Sequence, residues 1–310
     1  MKRFTGDLGA GAEARATGGL VAALSAGAIR TTEALGLRGG PTLVKLLAAT
    51  GLGRESISRV TLHSGRRIAF PTVDPYWAPY LWGRRPYEPD VQEIFRRLGR
   101  VPGKLLVDGG ANIGYWTVQM SLPEFGFDRF VAIEANPALI PLLEENVRAN
   151  AIDCQVVHAA LAAEPGRIVH LGGVRHHASA GVADSGVPVT TASLDALVGP
   201  KMAAGRVVVV KLDIEGSEIA AFQGARSLSQ RETVFIYEDW PRSGFNNSEW
   251  LLANGFAVVG MAPGEQAREI KSLGEAHAHN RSMRSSYGPS NFIAVSQGML
   301  GKVLELMAGE

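Results

Sequence analysis

The 310-residue chain has a single cysteine, Cys154, which excludes a disulfide framework and a cysteine-based metal site and fits a reducing compartment. It has almost no net charge, +1 at pH 7. The broad basic surface with which nucleic-acid enzymes follow phosphates is therefore missing, although Arg84-Arg85 makes a local basic pair. No apolar run has membrane-spanning length: the one candidate, Leu20 to Ile29, is too short to cross a bilayer. Asp7 and Glu13 lie upstream of it, where a secretory signal carries positive charge alone. That segment is expected to be a helix packed on the core or on a second copy of the chain. These absences predict a cytoplasmic protein whose partner is not a nucleic acid or a membrane. What it does have is 46% hydrophobic residues, enough for an ample core.

The most informative stretch is Leu105-Leu-Val-Asp-Gly-Gly-Ala-Asn-Ile-Gly-Tyr115. Leu105 to Val107 read as a buried parallel strand, Gly109, Gly110 and Gly114 as positions of close backbone approach to a ligand, and Ile113 onward as a helix. A second apolar run, Arg129-Phe-Val-Ala-Ile133, ends in Glu134, an acid able to accept hydrogen bonds from two vicinal ribose hydroxyls. The dinucleotide fingerprint G-x-G-x-x-G is absent, because its second and third glycines are replaced by Asn112 and Tyr115, so no pyrophosphate cradle forms. What remains is Asp108-x-Gly110-x-Asn112-x-Gly114. Such a turn suits a phosphate-free cationic ligand, and S-adenosylmethionine, with its ammonium and sulfonium, is that ligand. The rival expectations are a nicotinamide-dependent oxidoreductase and a non-catalytic scaffold that keeps the cofactor fold.

With those residues in place, the chain resembles the FkbM family of methyltransferases. That family's blocks, Tyr-Glu-Pro, V-D-V-G-A-N-I-G, an acid ending the second strand, T-L-D and K-I-D-V-E-G-A-E, have counterparts in order. They are Tyr87-Glu-Pro89, Val107-Asp-Gly-Gly-Ala-Asn-Ile-Gly114, Ile133-Glu-Ala-Asn-Pro137, Ser193-Leu-Asp195 and Lys211-Leu-Asp-Ile-Glu-Gly-Ser-Glu218. Gly109 stands for the usual Val and Ser193 for the usual Thr, and neither change removes a charge. The resemblance implies a class I methyltransferase: an α/β, Rossmann-like, seven-stranded sheet with helices on both faces and an antiparallel last strand at Asn291 to Ser296. Cofactor contacts are assigned to Asp108, Gly109, Gly110, Asn112, Gly114, Glu134, Ala135, Asn136 and Ala160.

Organisation along the chain supports an open α/β sheet. Residues 1–55 read as a Gly/Ala-rich helical appendage. Residues 56–104 read as a hairpin, an aromatic segment and a helix over the active site. Residues 105–310 read as the cofactor-binding core. Strands are expected near 105–109, 129–134, 155–158, 207–213, 233–238, 256–261 and 291–296. Pro89 suits the first turn of a helix whose apolar positions Val91, Ile94, Phe95 and Leu98 share a face. Asn136-Pro137 predicts an N-cap and first-turn proline for the helix to Ala149.

In an open α/β sheet ligands bind outside the carboxyl ends of the strands. Asp108 there either touches the cofactor or caps the following turn, and Asn112 either touches it or only forms the turn. Lys211 and Asp213, two residues apart on one strand face, are expected to pair with each other. Asp213, Glu215 and Glu238 are the catalytic candidates, and Glu218 is expected to act on the next helix's dipole. Methyl transfer to an alcohol needs a positioned base, for which Asp213, Glu238 or a histidine is available. His176-His177 fall in a loop of the length of mobile substrate loops. Tyr76, Trp77, Tyr80 and Trp82 either stack on an acceptor or plug a core. No metal-ligand set is expected, and the resemblance implies a small-molecule or glycan acceptor, such as a sugar, polyketide or other secondary metabolite, methylated on a hydroxyl.

Overall fold

The computed structural model describes residues 19–36, 40–51, 56–83, 85–173, 181–262, 265–283 and 289–308. Arg84, His176 and His177 lie outside the described residues. The chain divides into two compact units: Met1–Pro89 with Pro141–Ile152, and Asp90–Ile140 with Asp153–Glu310.

The first unit contains helices α1 (Gly19–Ala34) and α2 (Gly40–Ala49), the antiparallel hairpin β1 (Ile57–Thr61) and β2 (Arg67–Pro71), and the short helix α3 (Ala78–Leu81). Helix α6 (Ile140–Ala149) lies almost entirely in this unit. It covers the open edge of β2 with side-chain amides. Asn146 accepts the Ala69 amide at 2.6 Å and donates to the Ala69 carbonyl at 2.9 Å, and Asn150 does the same for Arg67 at 2.9 and 2.7 Å. Unpaired strand groups are thus satisfied. The aromatic segment packs on itself: Trp77, Trp82 and Tyr87 are buried, Tyr76 meets Trp77, Tyr80 and Tyr87 edge to face, and the Tyr76 and Tyr87 hydroxyls are 2.9 Å apart. Trp77 and Trp82 are thus core residues, while Tyr76 and Tyr80 are half-buried.

The second unit is built on one sheet of eight strands. The parallel strands β3 (Lys104–Gly109), β4 (Phe127–Glu134), β5 (Cys154–His158), β10 (Val207–Leu212) and β11 (Thr233–Asp239) are joined by β12 (Phe256–Gly260), β13 (Arg268–Ile270) and β14 (Ser290–Ser296). Their order is β13-β12-β14-β11-β10-β3-β4-β5, with β14 antiparallel to both neighbours. All seven expected strands are present, and β13 adds a short eighth at the edge. The chain runs from β3 outward to one side and from β10 outward to the other, so the topological switch lies between them. Every residue of β3 and of β10 is buried, as a two-face-covered parallel strand requires.

Helices α4 (Pro89–Leu98), α5 (Tyr115–Met120), α9 (Glu218–Gln223), α10 (Asn246–Ala253), α11 (Leu273–Ser282) and α12 (Leu300–Met307) complete this unit, with the single-turn α7 (Leu194–Leu197) and α8 (Pro200–Ala203). Val91, Ile94, Phe95 and Leu98 of α4 are buried. Asn136 is not the N-cap of α6, which begins only at Ile140; its Oδ1 accepts the Ala138 amide at 3.1 Å and so closes the turn that precedes that helix. The unexpected feature is a second sheet between β5 and β10. It comprises β6 (Ala160–Leu161), β7 (Ile168–Gly172), β8 (Gly181–Ala183) and β9 (Val187–Ala192), in the order β6-β9-β7-β8. Its strands are short and expose Ile168 and Val182, so they carry little alternation to read.

Candidate active site

The turn after β3 is shaped by its own chain before any ligand is considered. Gly110 has φ 77° and Asn112 φ 53°, both left-handed, where glycine and asparagine are the tolerated residues. A Cβ on Gly110 would lie 1.9 Å from the Asp213 carbonyl oxygen. The close approach that Gly110 permits is therefore between the β3 and β10 strand-end loops. Gly109 differs, since its φ is not left-handed and an added Cβ would meet chiefly the side-chain ends Leu161 Cδ1 at 2.8 Å and Leu212 Cδ2 at 3.0 Å. Gly114, φ 81°, opens α5.

Asp108 is 2% exposed, and its Oδ2 accepts the Thr117 amide at 3.1 Å and the Thr117 hydroxyl at 2.7 Å. This is the capping alternative, reached through a partner nine residues on. Burial pushes the Asp108 carboxyl up from its ordinary range, and the Lys211 charge and the Thr117 hydrogen bonds oppose that. Glu134 at the end of β4 accepts two loop amides at 2.7 Å each, Asn112 on Oε2 and Asn136 on Oε1. Burial raises its pKa against those bonds. Ala135 is half-buried beside it, and the Ala159 amide donates to the Glu134 carbonyl at 3.2 Å. Ala160 is buried and pairs with Thr191 as the first strand of the second sheet.

The other half of the site lies past β10 and β11. Lys211 Nζ meets Asp213 Oδ2 at 3.3 Å, the expected pairing. Glu218 is buried. Its Oε1 accepts the Ile214 and Gly216 amides at 3.1 and 3.3 Å, so it ties down the turn that carries Glu215. Glu238 Oε2 accepts the Trp240 indole N–H at 2.7 Å, and the Arg242 guanidinium lies 3.8 Å over the Trp240 ring. Asp239 Oδ2 accepts both the amide and the hydroxyl of Ser248 at 2.7 Å. These groups surround a cavity of about 300 Å³ lined by Glu215, Glu218, Glu238, Trp240, Arg242 and Asn247, among others, at the small end of ligand pockets.

Four carboxyl groups line this cavity, and three of them are already engaged by donors of the fold. Glu215 is the fourth. Among the described residues its carboxyl has no hydrogen-bond partner, and partial withdrawal from water, then the charges of Asp213 and Glu218, push its pKa up to about 7 against the opposing Arg242. A Cβ on Gly181 of β8 would lie 3.4 Å from the Glu215 carbonyl, so the second sheet reaches this turn. The structure thus brings Glu215 and Glu238 together on one cavity, with Asp213 held beside it by Lys211. Sequence reasoning missed Asn247, Trp240's indole bond and Arg242; the only signal was Glu238-Asp-Trp240 at a strand end.

The family described as Methyltransferase FkbM domain matches residues 108–273. The chain belongs to the FkbM methyltransferase family. No curated protein matches it significantly. Among solved structures it is similar to a methyltransferase FkbM from Methylobacillus flagellatus KT (15% identity, 64% of this chain, 47% of that chain, TM-score 0.40). It is also similar to a precorrin-6y C5,15-methyltransferase from Geobacter metallireducens GS-15 (12%, 65%, 84%, TM-score 0.34). The chain spans about half the length of the Methylobacillus protein. The strand order and the FkbM match agree on an α/β methyltransferase fold.

Proposed function

We propose that this FkbM protein transfers the methyl group of S-adenosylmethionine to a hydroxyl of a small-molecule or glycan acceptor, such as a sugar, polyketide or other secondary metabolite, in the cytoplasm. The observation that carries this reading is Glu215: a carboxyl on the strand-end cavity, without a donor among the described residues, pushed up to about 7. A base poised near the working pH is what an attacking hydroxyl requires.

The residues at the switch point fit the cofactor. The Glu134 carboxylate accepts loop amides, Asn112 on one oxygen and Asn136 on the other, with the Ala135 amide beside them, and its roughly four lone-pair sites leave capacity for a ribose hydroxyl. The acids near the turn, Asp108 and Asp213, favour a cationic ligand, and the turn lacks the glycines of a pyrophosphate cradle. When bound, S-adenosylmethionine supplies an electrophilic methyl group on a sulfonium. The remaining work falls to the chain. Glu215 takes the hydroxyl proton as the acceptor oxygen attacks. Lys211 holds Asp213 in place, and Trp240 holds Glu238 as a cavity wall.

Methyl-labelled S-adenosylmethionine incubated with fractionated small metabolites tests this, with products read by mass spectrometry. A labelled methyl ether is expected. Transfer to nitrogen would overturn the hydroxyl assignment, and failure of the protein to bind S-adenosylhomocysteine would overturn the cofactor assignment.

A further inference from the structure

Glu215 holds φ 53°, a conformation that costs a non-glycine residue free energy unless the surroundings enforce it. Glu218 Oε1 grips the amides on either side of it, Ile214 and Gly216. The other oxygen of Glu218 accepts a hydrogen bond from Asn247 Nδ2 at 3.4 Å, and the same nitrogen donates to the Glu238 carbonyl at 3.0 Å. One amide group of α10 therefore spans the two strand-end loops, using both of its hydrogens. Its neighbour Ser248 bonds only toward β11, through Asp239 and the Tyr237 hydroxyl.

We infer that Asn247 is a positioning residue that couples the Glu215 turn to the Glu238 loop, with Glu218 as the intermediary. Its chemistry is specific to the amide. Alanine has no donor, and aspartate has none either while adding a charge next to Glu218. Nothing in the family blocks marks position 247, which lies 29 residues past Glu218. The catalytic meaning of this link rests on the proposed role of Glu215, but the link itself does not.

Hydrogen–deuterium exchange on the full chain without cofactor tests it, comparing Asn247→Ala and the milder Asn247→Ser with Ser248→Ala. For both Asn247 variants, peptides covering 213–218 and 238–243 should exchange about fivefold faster, the scale of one lost hydrogen bond, while 207–212 stays protected. Ser248→Ala should loosen 237–241 and leave 213–218 unchanged. In a carbon-13 titration of Glu215, the midpoint should fall from about 7 toward the ordinary carboxylate range in Asn247→Ser and stay in place in Ser248→Ala. If 213–218 stays as protected in both Asn247 variants as in the parent chain, or the Glu215 midpoint does not move, the coupling is overturned. Neither readout depends on methyl transfer, so its failure and that of the proposed function are distinguishable.

Discussion

The Glu134 carboxylate accepts the Asn112 amide at 2.7 Å, and together with the Gly110 and Ala111 amides, which donate to the Ile133 carbonyl at 2.9 Å, this bond joins the end of β4 to the turn after β3. The residue expected to hold the ribose therefore also helps to hold the turn in shape. Glu134→Ala should weaken S-adenosylhomocysteine binding by roughly 1.5 to 3 kcal/mol, the range for hydrogen bonds to a charged group, and also lower the melting temperature. Calorimetry and thermal unfolding check both. NAD binding more tightly than S-adenosylhomocysteine to the parent chain would contradict the cofactor assignment.

Gly110→Ala separates a ligand-contact role from a chain-packing role. The left-handed φ costs alanine about 1–2 kcal/mol, and the overlap with the Asp213 carbonyl forces the two loops apart. The variant should be less stable in urea and should bind cofactor weakly. Parent-like stability with lost binding would show that the glycine serves only the ligand.

His279 is buried with neither ring nitrogen hydrogen-bonded among the described residues, packed against Gly260 and Phe292. Burial lowers its pKa, with Arg268 acting in the same direction and Glu265 and Asp90 opposing. A histidine whose folded pKa is depressed contributes stability that is present above its unfolded pKa of about 6.5. That stability is lost as pH falls from there through the folded pKa. Urea unfolding at pH 7.5 and 5 should show a drop that His279→Phe reduces. An identical drop in the variant would assign the pH dependence to other groups.

Much of the fold was legible because its signals are local. The four-valine run of β10, the acid-terminated β4 and the apolar face of α4 each declare their element. The second sheet was not legible, since Ile168 and Val182 sit on short, exposed strands whose pairing is set by partners up to 22 residues away, such as Ile168 opposite Thr190. At the site, strand-end acids were legible as a group, but their division of labour was not. Which carboxyl stays without a donor depends on Thr117, Trp240, Ser248 and Asn247, and no spacing rule brings those residues to Asp108, Glu238, Asp239 and Glu218. Likewise the serine and acid of the Ser193-Leu-Asp195 block are structural: Ser193 caps α7 and Asp195 accepts the Ser227 and Leu228 amides at 2.8 and 3.0 Å.

The proposed role of Glu215 as the base is tested by the pH dependence of single-turnover methyl transfer, once an acceptor has been identified by label transfer. The rate should rise with pH through a midpoint near 7, the value of the Glu215 carboxyl, because the deprotonated form accepts the hydroxyl proton. Glu215→Gln should abolish that limb and slow transfer by about 10²-fold or more, with S-adenosylhomocysteine affinity unchanged. A Glu215→Gln enzyme that keeps both the rate and the pH profile of the parent chain would contradict that role.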